Sequence, residues 1–341
     1  MKKHIIIYAA ILIFLAFILA GCNSSSQNIN EASDEKLQVA LVITDKLGDK
    51  SFFDSAHEGI LRASKELNIE YKVFECNSDK TIYGDMLLEG SKYADVVIAV
   101  GYEYYDMIKE IAKGYPDVTY IYPDQVVEGV ENLTCIDYTE KEGSFLAGAL
   151  AAMLTKETAI EGINEQNIIG IVGGMDIPVI RDFESGYIQG AKYIDPDIIV
   201  ETVFTGNFYD PQKGKEWASI LYQKNADVIF SVAGACGLGV YEAAAEYKRY
   251  AIGVDSDQRY INPDVIVASM IKGVGLSIYD CLKKISDGSF QSGKIYKYGL
   301  LEKGVDLAYG NESMKQIVTE DMLSRLNDIR KKIIDGDIQI Q

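Results

Sequence analysis

From Leu37 onward the chain alternates short runs of apolar, β-branched residues with longer stretches in which apolar positions recur every three or four residues. The first pattern is that of a strand buried on both faces and the second that of a helix with one face on a sheet. Their alternation predicts parallel strands joined by crossover helices. Leu37–Ile43 (LQVALVI) is the first such strand, and Ser55–Leu67 the helix after it, with Ala56, Ile60, Ala63 and Leu67 on one face. EYKVFEC, DVVIAV and VTYIYP follow as strands, separated by helical segments around Gly84–Tyr93 and Tyr105–Lys113.

A second series starts after Cys135. EGSFLAGALAAMLT reads as a helix with small residues that permit close packing, NIIGIVGG as a buried strand and VIRDFESGYIQGAKYI as a helix. IIVETVFTG, KGKEWASILYQKN, ADVIFSVAG, GLGVYEAAAEY, YAIGVD and VIVASMIKG continue the alternation. The pattern is that of an α/β protein with two doubly wound lobes of similar size. TEDMLSRLNDIRKKIIDGDI closes the chain as an amphipathic helix on the second lobe, with Met322, Leu323, Leu326, Ile329 and one of Ile333 and Ile334 in register.

In such sheets ligands lie beyond the carboxyl ends of the strands. The loops Asp45–Asp54, Gly101–Tyr105, Gly173–Pro178, Gly206–Pro211, Gly234–Gly239 and Asp255–Tyr260 are therefore expected to face one cleft. In the first of them two adjacent aromatics, Phe52 and Phe53, stand in a polar turn, where apolar surface needs a purpose.

Ahead of the alternation, MKKHIIIYAAILIFLAFILAGC carries Lys2 and Lys3 and then an apolar run from Ile5 to Leu19, of the length of a signal-peptide core and short for a bilayer span of ~20 residues. It ends in Leu19-Ala20-Gly21-Cys22, similar to a bacterial lipobox, so residues 1–21 are expected as a lipoprotein signal peptide and Cys22 as the lipidated first residue. That makes the protein lipid-anchored on the extracytoplasmic face of the cell membrane. Residues 22–36, polar and without apolar rhythm, read as a flexible tether.

Composition then narrows the functions. Of the 341 residues 48% are hydrophobic and 25% charged, ordinary globular values, and the formal net charge of -18 argues against a nucleic-acid partner, which needs a basic footprint. Cys76, Cys135, Cys236 and Cys281 form no CxxC pair and sit in or beside apolar stretches, so they are expected as buried free thiols. There are two histidines; His4 lies in the signal segment, and His57 falls in the first helix, where a structural role is expected. No HExxH, Walker loop or G-x-S-x-G elbow is present, and Asp255 and Asp257 in GVDSDQ lack the rest of a calcium loop. Binding without reaction, cofactor or metal is the expectation.

Taken in order, SFFDSAHEGI, GSFLAG, GGMDIPVI, FESGYIQGAK, GNFYDPQKGKEWA, ADVIFSVAGACGLGV, YAIGVDSDQ and VIVASMIKG resemble the signatures of the basic membrane protein family of bacterial lipoproteins. That family includes purine nucleoside receptors, the substrate-binding components of ABC importers. The resemblance spans about Leu37 to Lys272. It implies the type I periplasmic binding protein fold, two Rossmann-like lobes hinged by three crossovers, with 37–136 and 260–293 in one lobe and 137–259 and 294–341 in the other.

It also implies a site. Phe52 and Phe208 match the two rings between which a purine stacks, and Asp255 and Lys272 match the pair that holds the ribose hydroxyls. Gly234 matches a glycine whose backbone approaches the sugar. The family usually has an asparagine where this chain has Phe53; either Phe53 adds apolar surface, or Asp54 or Asp49 takes over the polar contact. A further carboxylate against the base edge is assigned to Asp137, with Asp124 and Glu142 as rivals. The function implied is capture of a nucleoside, a purine one expected, and its delivery as a monomer to an ABC permease. The alternatives are another small polar ligand in the same cleft, or a surface adhesin that keeps the fold.

Overall fold

The computed structural model describes residues 36–341. The expected signal segment 1–21, the expected lipidation site Cys22 and, apart from Lys36, the expected tether over 22–36 lie outside the described residues. No helix among the described residues is long and apolar enough to cross a membrane.

The chain builds one lobe through β1 (Leu37–Ile43), α1 (Phe52–Glu66), β2 (Ile69–Glu75), α2 (Tyr83–Tyr93), β3 (Val96–Val100), α3 (Tyr105–Gly114), β4 (Thr119–Pro123) and β5 (Leu133–Tyr138). It then crosses over and builds the second through α4 (Glu140–Leu154), β6 (Ile168–Gly173), α5 (Pro178–Ile194), β7 (Ile199–Phe204), α6 (Pro211–Gln223), β8 (Val228–Val232), α7 (Cys236–Tyr247), β9 (Tyr250–Asp255) and β10 (Ile266–Lys272). It returns for α8 (Val274–Ser286), which packs on α1, and β11 (Ile295–Tyr298), and crosses a third time for β12 (Val305–Ala308) and the closing α9 (Glu320–Ile334).

The first sheet has the order β2-β1-β3-β4-β5-β11, all parallel, and the second β7-β6-β8-β9-β10-β12. In the second, every pairing is parallel except β10 with β12. That exception follows from connectivity. β11 ends at the cleft, because parallel strands all present their carboxyl ends there, so the chain enters the second lobe at the cleft edge and β12 must run away from it. Strand order and direction agree with the expected α/β fold of two Rossmann-like lobes.

Sheet membership corrects the expected lobe boundaries. β5 runs to Tyr138, past the lobe boundary expected at 136. β10 stays in the second sheet although 260–293 was assigned to the first lobe, and β11 belongs to the first although 294–341 was assigned to the second. Alternation reveals strands but not which sheet each joins, and that choice is made by pairing between residues far apart in sequence.

The helix expected from Ser55 starts at Phe52. The Asp49 carboxylate accepts the N–H groups of Phe53 (2.9 Å) and Asp54 (3.0 Å), satisfying first-turn donors that an uncapped helix leaves open. Phe52 and Phe53 are thus projected by the first helical turn rather than by a turn preceding it. Helix α4 is buried along nearly its whole length, packed between α5, α9 and the second sheet, which is why its residues are almost all small or apolar. In α9, Met322, Leu326, Ile329 and Ile333 are buried, while Ile334 is exposed. The four cysteines beyond Cys22 are buried free thiols.

The three crossings lie side by side and are hydrogen-bonded to one another. Thr139 N donates to Tyr298 O (3.1 Å) and Gly273 N to Gly304 O (2.7 Å). The Glu142 carboxylate accepts from Leu300 N (2.8 Å), so this rival for the base edge serves the hinge instead.

Candidate functional site

The carboxyl ends of both sheets face one cleft, and a single cavity in it is lined by Asp49, Phe52, Phe53, Phe208, Gly234, Asp255 and Lys272. Seven of the eight expected ligand-binding residues therefore meet in one place. The eighth, Asp137, does not line that cavity. On β5 the alternation of a pleated strand turns it to the other side, where its side chain is 39% exposed and 3.8 Å from Lys297. It lines a separate depression with Thr139, Glu142 and Asp182. Asp124, its rival, lines the cavity.

Lys272, the last residue of β10, is 2% exposed. A buried ammonium needs compensating charge, and it has Asp124, in direct ion pair, and Glu140 at 3.1 Å, with Asp255 close enough to act electrostatically. The rings of Phe183, Tyr138 and Phe52 have their centroids 5.1, 5.2 and 5.4 Å from its Nζ, so their faces supply further negative potential. Burial works against the charged form, but Asp124, Glu140 and Asp255 outweigh it and hold the ammonium above its ordinary range. The same burial pushes the Asp255 carboxyl up to about 6, against the opposing pull of Lys272 and the Ser51 hydroxyl. Glu140 is driven well above the usual carboxylate range, by burial first, while Lys272 pulls it down and Asp124 pushes it up.

Asp124, just past β4, and Asp255, the last residue of β9, adopt left-handed backbone, with φ of 74° and 66°. Aspartate tolerates this better than most residues, yet strain kept at two carboxylates facing one cation is typical of a binding site.

The aromatic walls come from both lobes. Phe52 and Phe53 have ring centroids 5.8 Å apart at 57°, and Phe52 also covers Lys272. Phe208, in the loop before α6, lies against Gly174: a Cβ there would stand 2.2 Å from two atoms of the ring. Gly234 has φ +55°, and a Cβ on it would be 3.0 Å from Phe208 O, so its lack of a side chain keeps this wall of the cavity open. Across the cleft Tyr102 meets Phe208 edge-on at 6.3 Å, and its hydroxyl donates to Met175 Sδ (2.9 Å).

Of the two carboxylates weighed in place of the family's asparagine, Asp54 accepts from Gly48 N (2.7 Å) and Lys50 N (3.0 Å) and so closes its own loop. Asp49 lines the cavity while accepting from the N–H groups of Ser51, Phe53 and Asp54; burial pushes it up to about 7 in spite of them.

The lobes are latched together. The Ser51 hydroxyl donates to Asp255, and Lys50 O accepts from Gln258 Nε2 (2.7 Å) and Ser256 Oγ (3.1 Å). Gln258 is placed by Tyr241 and Val254 N, and Arg259 beside it, buried, donates to carbonyls of Ile266, Pro263, Tyr309 and Lys315.

Sequence reasoning passed over Tyr102, Glu103, Met175, Phe183 and Glu140. Tyr102, Glu103 and Met175 lie in loops expected at the cleft, which was the available signal; Phe183 read as an ordinary helix position, and Glu140 lay just ahead of the helix expected from Glu142. His57 bonds to the Tyr71 hydroxyl (3.1 Å), a structural contact. Among the described residues no cluster of three or more His, Cys, Asp or Glu is arranged to hold a metal ion.

Residues 36–341 match the profile of a family described as ABC transporter substrate-binding protein PnrA-like. The chain is 32% identical to the ABC transporter nucleoside-binding protein BmpA of Lactococcus lactis subsp. cremoris, over 100% of this chain and 99% of that protein. It is 32% identical to basic membrane protein A of Borreliella burgdorferi, over 88% and 86% of the two chains. Among solved structures it is similar to an ABC transporter solute-binding protein from Aeropyrum pernix K1, with a TM-score of 0.79, 26% identity and coverage of 89% and 92%.

Proposed function

The chain belongs to the PnrA-like family of ABC transporter substrate-binding proteins, and on that footing we propose that the substrate it captures is a nucleoside, with a purine as its base. The family is one of binding proteins rather than enzymes, and the relative from Lactococcus lactis is named for nucleoside binding.

One arrangement carries the reading: two rings, Phe52 and Phe208, and a carboxylate–ammonium pair, Asp255 and Lys272, in a single interlobe cavity. A flat base needs faces to stack on, worth roughly 1–3 kcal/mol per base. Vicinal hydroxyls need an acceptor and a donor held rigidly together, which an ionised Asp255 beside Lys272 supplies. Closure of the lobes buries the ligand and forms the rim that a permease recognises. Cys22 would tether the assembly to the membrane, ready to hand its ligand over.

The test is calorimetric titration of the protein from Leu37 onward, unfolded and refolded to strip bound ligand, with adenosine, guanosine, inosine, cytidine and ribose. Submicromolar binding confined to purine nucleosides is expected. Binding of ribose as tight as that of any nucleoside would overturn the reading in favour of a sugar site.

A further inference from the structure

The cavity has two polar ends. The hinge end holds Lys272, Asp124 and Asp255, contributed after β10, β4 and β9. The far end is built by loops after β1, β3 and β2 and carries Thr44, Asp45, Glu103, Ser78 and Lys80. Phe52, Tyr102 and Phe208 line the same cavity. If the sugar occupies the hinge end, the edge of the base that points away from the sugar reaches the far end.

Glu103 is the group there best prepared to meet it. It follows Tyr102, whose ring already faces Phe208, so its position relative to a base stacked on Phe208 is fixed by the same short helical turn. Its carboxylate folds back over Gly101, where a Cβ would lie 3.0 Å from Glu103 Oε2 and 2.4 Å from Thr44 Oγ1. Burial, with Asp45 nearby, pushes the group above its ordinary range, while its own backbone N–H, Thr44 and Lys80 favour the ionised form. A carboxylate so held only accepts hydrogen bonds.

We infer that Glu103 reads the base edge and selects bases that present N–H donors there. Guanine offers N1–H and the 2-amino group to the two carboxylate oxygens, hypoxanthine offers N1–H alone, and adenine offers its 6-amino group only beside an N1 acceptor that an ionised carboxylate repels. The order expected is guanosine, then inosine, then adenosine. This rests on the nucleoside reading above. A buried polar group built to bond a donor discriminates strongly against a ligand that lacks it.

The experiment titrates guanosine, inosine, adenosine and 1-methylguanosine into the ligand-free wild type and Glu103→Gln. In the wild type guanosine should bind at least 10-fold tighter than adenosine and than 1-methylguanosine, which keeps the stacking face but loses the N1–H. In Glu103→Gln the preference for guanosine should fall at least 10-fold, since an amide can donate to adenine N1 and accept from its amino group. The methylated ligand tests the inference on unaltered protein, so it stands even if the variant melts early. Guanosine, adenosine and 1-methylguanosine binding alike in the wild type would overturn the role of Glu103 and leave the nucleoside reading intact. No binding of any nucleoside to folded, ligand-free protein would overturn both.

Discussion

The two lobes share a strand order and differ in what they bring to the cleft. The first contributes four carboxylates, Asp45, Asp49, Glu103 and Asp124, with Lys80 as a cation. The second contributes a mostly apolar wall, Met175, Ile177, Val179, Ile180, Phe183, Phe208, Val232 and Val254, with its charge confined to Asp255 and Lys272 at the hinge end. One sheet order can therefore support an acid-rich wall and an apolar seat, because the strand ends fix only where a loop begins and its residues decide what it offers. A ligand bound between such walls is ordered by polarity on one side and by shape on the other.

The largest effect should follow from removing the buried cation that the second lobe brings to the cavity. Lys272→Met leaves Asp124, Glu140 and Asp255 facing one another without compensation, and should cost about 3–5 kcal/mol of stability by denaturant unfolding. A loss below about 1 kcal/mol would mean that the carboxylates simply take up protons and that the ammonium is dispensable to the fold.

Next come the rings, one from each lobe. Phe208→Ala should cost about 1–3 kcal/mol of nucleoside affinity with little change in melting temperature. Phe52→Ala should weaken binding similarly but also lower the melting temperature, since Phe52 covers the Lys272 ammonium. Unchanged nucleoside affinity in Phe208→Ala would sink the idea that the base stacks there.

Smaller is the pH dependence. Asp49 and Asp255, raised to about 7 and about 6 in the folded protein, have ordinary values near 3.8. Between about pH 4 and 7 the folded state therefore holds more protons than the unfolded one, and stability falls as pH rises through that window. Asp49→Asn, which keeps a capping oxygen, should flatten the fall toward pH 7; an unaltered slope would show that Asp49 does not contribute to it. The smallest effect belongs to Asp137→Asn. Outside the cavity and half-exposed, it should change nucleoside affinity and stability by less than about 0.5 kcal/mol.

Much of this was legible in the chain. β1 and β9 were expected with the bounds they have, and most other strands within a residue or two, because buried parallel strands write themselves as continuous apolar runs. Three strands were not seen: β5, whose six residues mix polar Thr134 and Asp137 into the apolar run, and the four-residue β11 and β12, which are part polar and take their character from their partners. At the site, aromatics in polar loops stood out, whereas Asp137 and Asp124 could be separated only by knowing which way each faces at the end of its strand. Glu140 offered no signal at all, since a charged residue in a helix's first turn is ordinarily solvated, and here it is buried because the helix begins at a crossing between lobes.

That crossing has a mechanical meaning. Lys272 and Glu140 stand at two of the three chain passages between the lobes, so their ion pair lies at the fulcrum about which the lobes swing. A ligand drawing on Lys272, as proposed, would apply its force where the lever arm is shortest, and an ångström of adjustment there would sweep the distant rim through a much longer arc. Such gearing would turn a small chemical event at the pivot into a large displacement at the lips of the cleft.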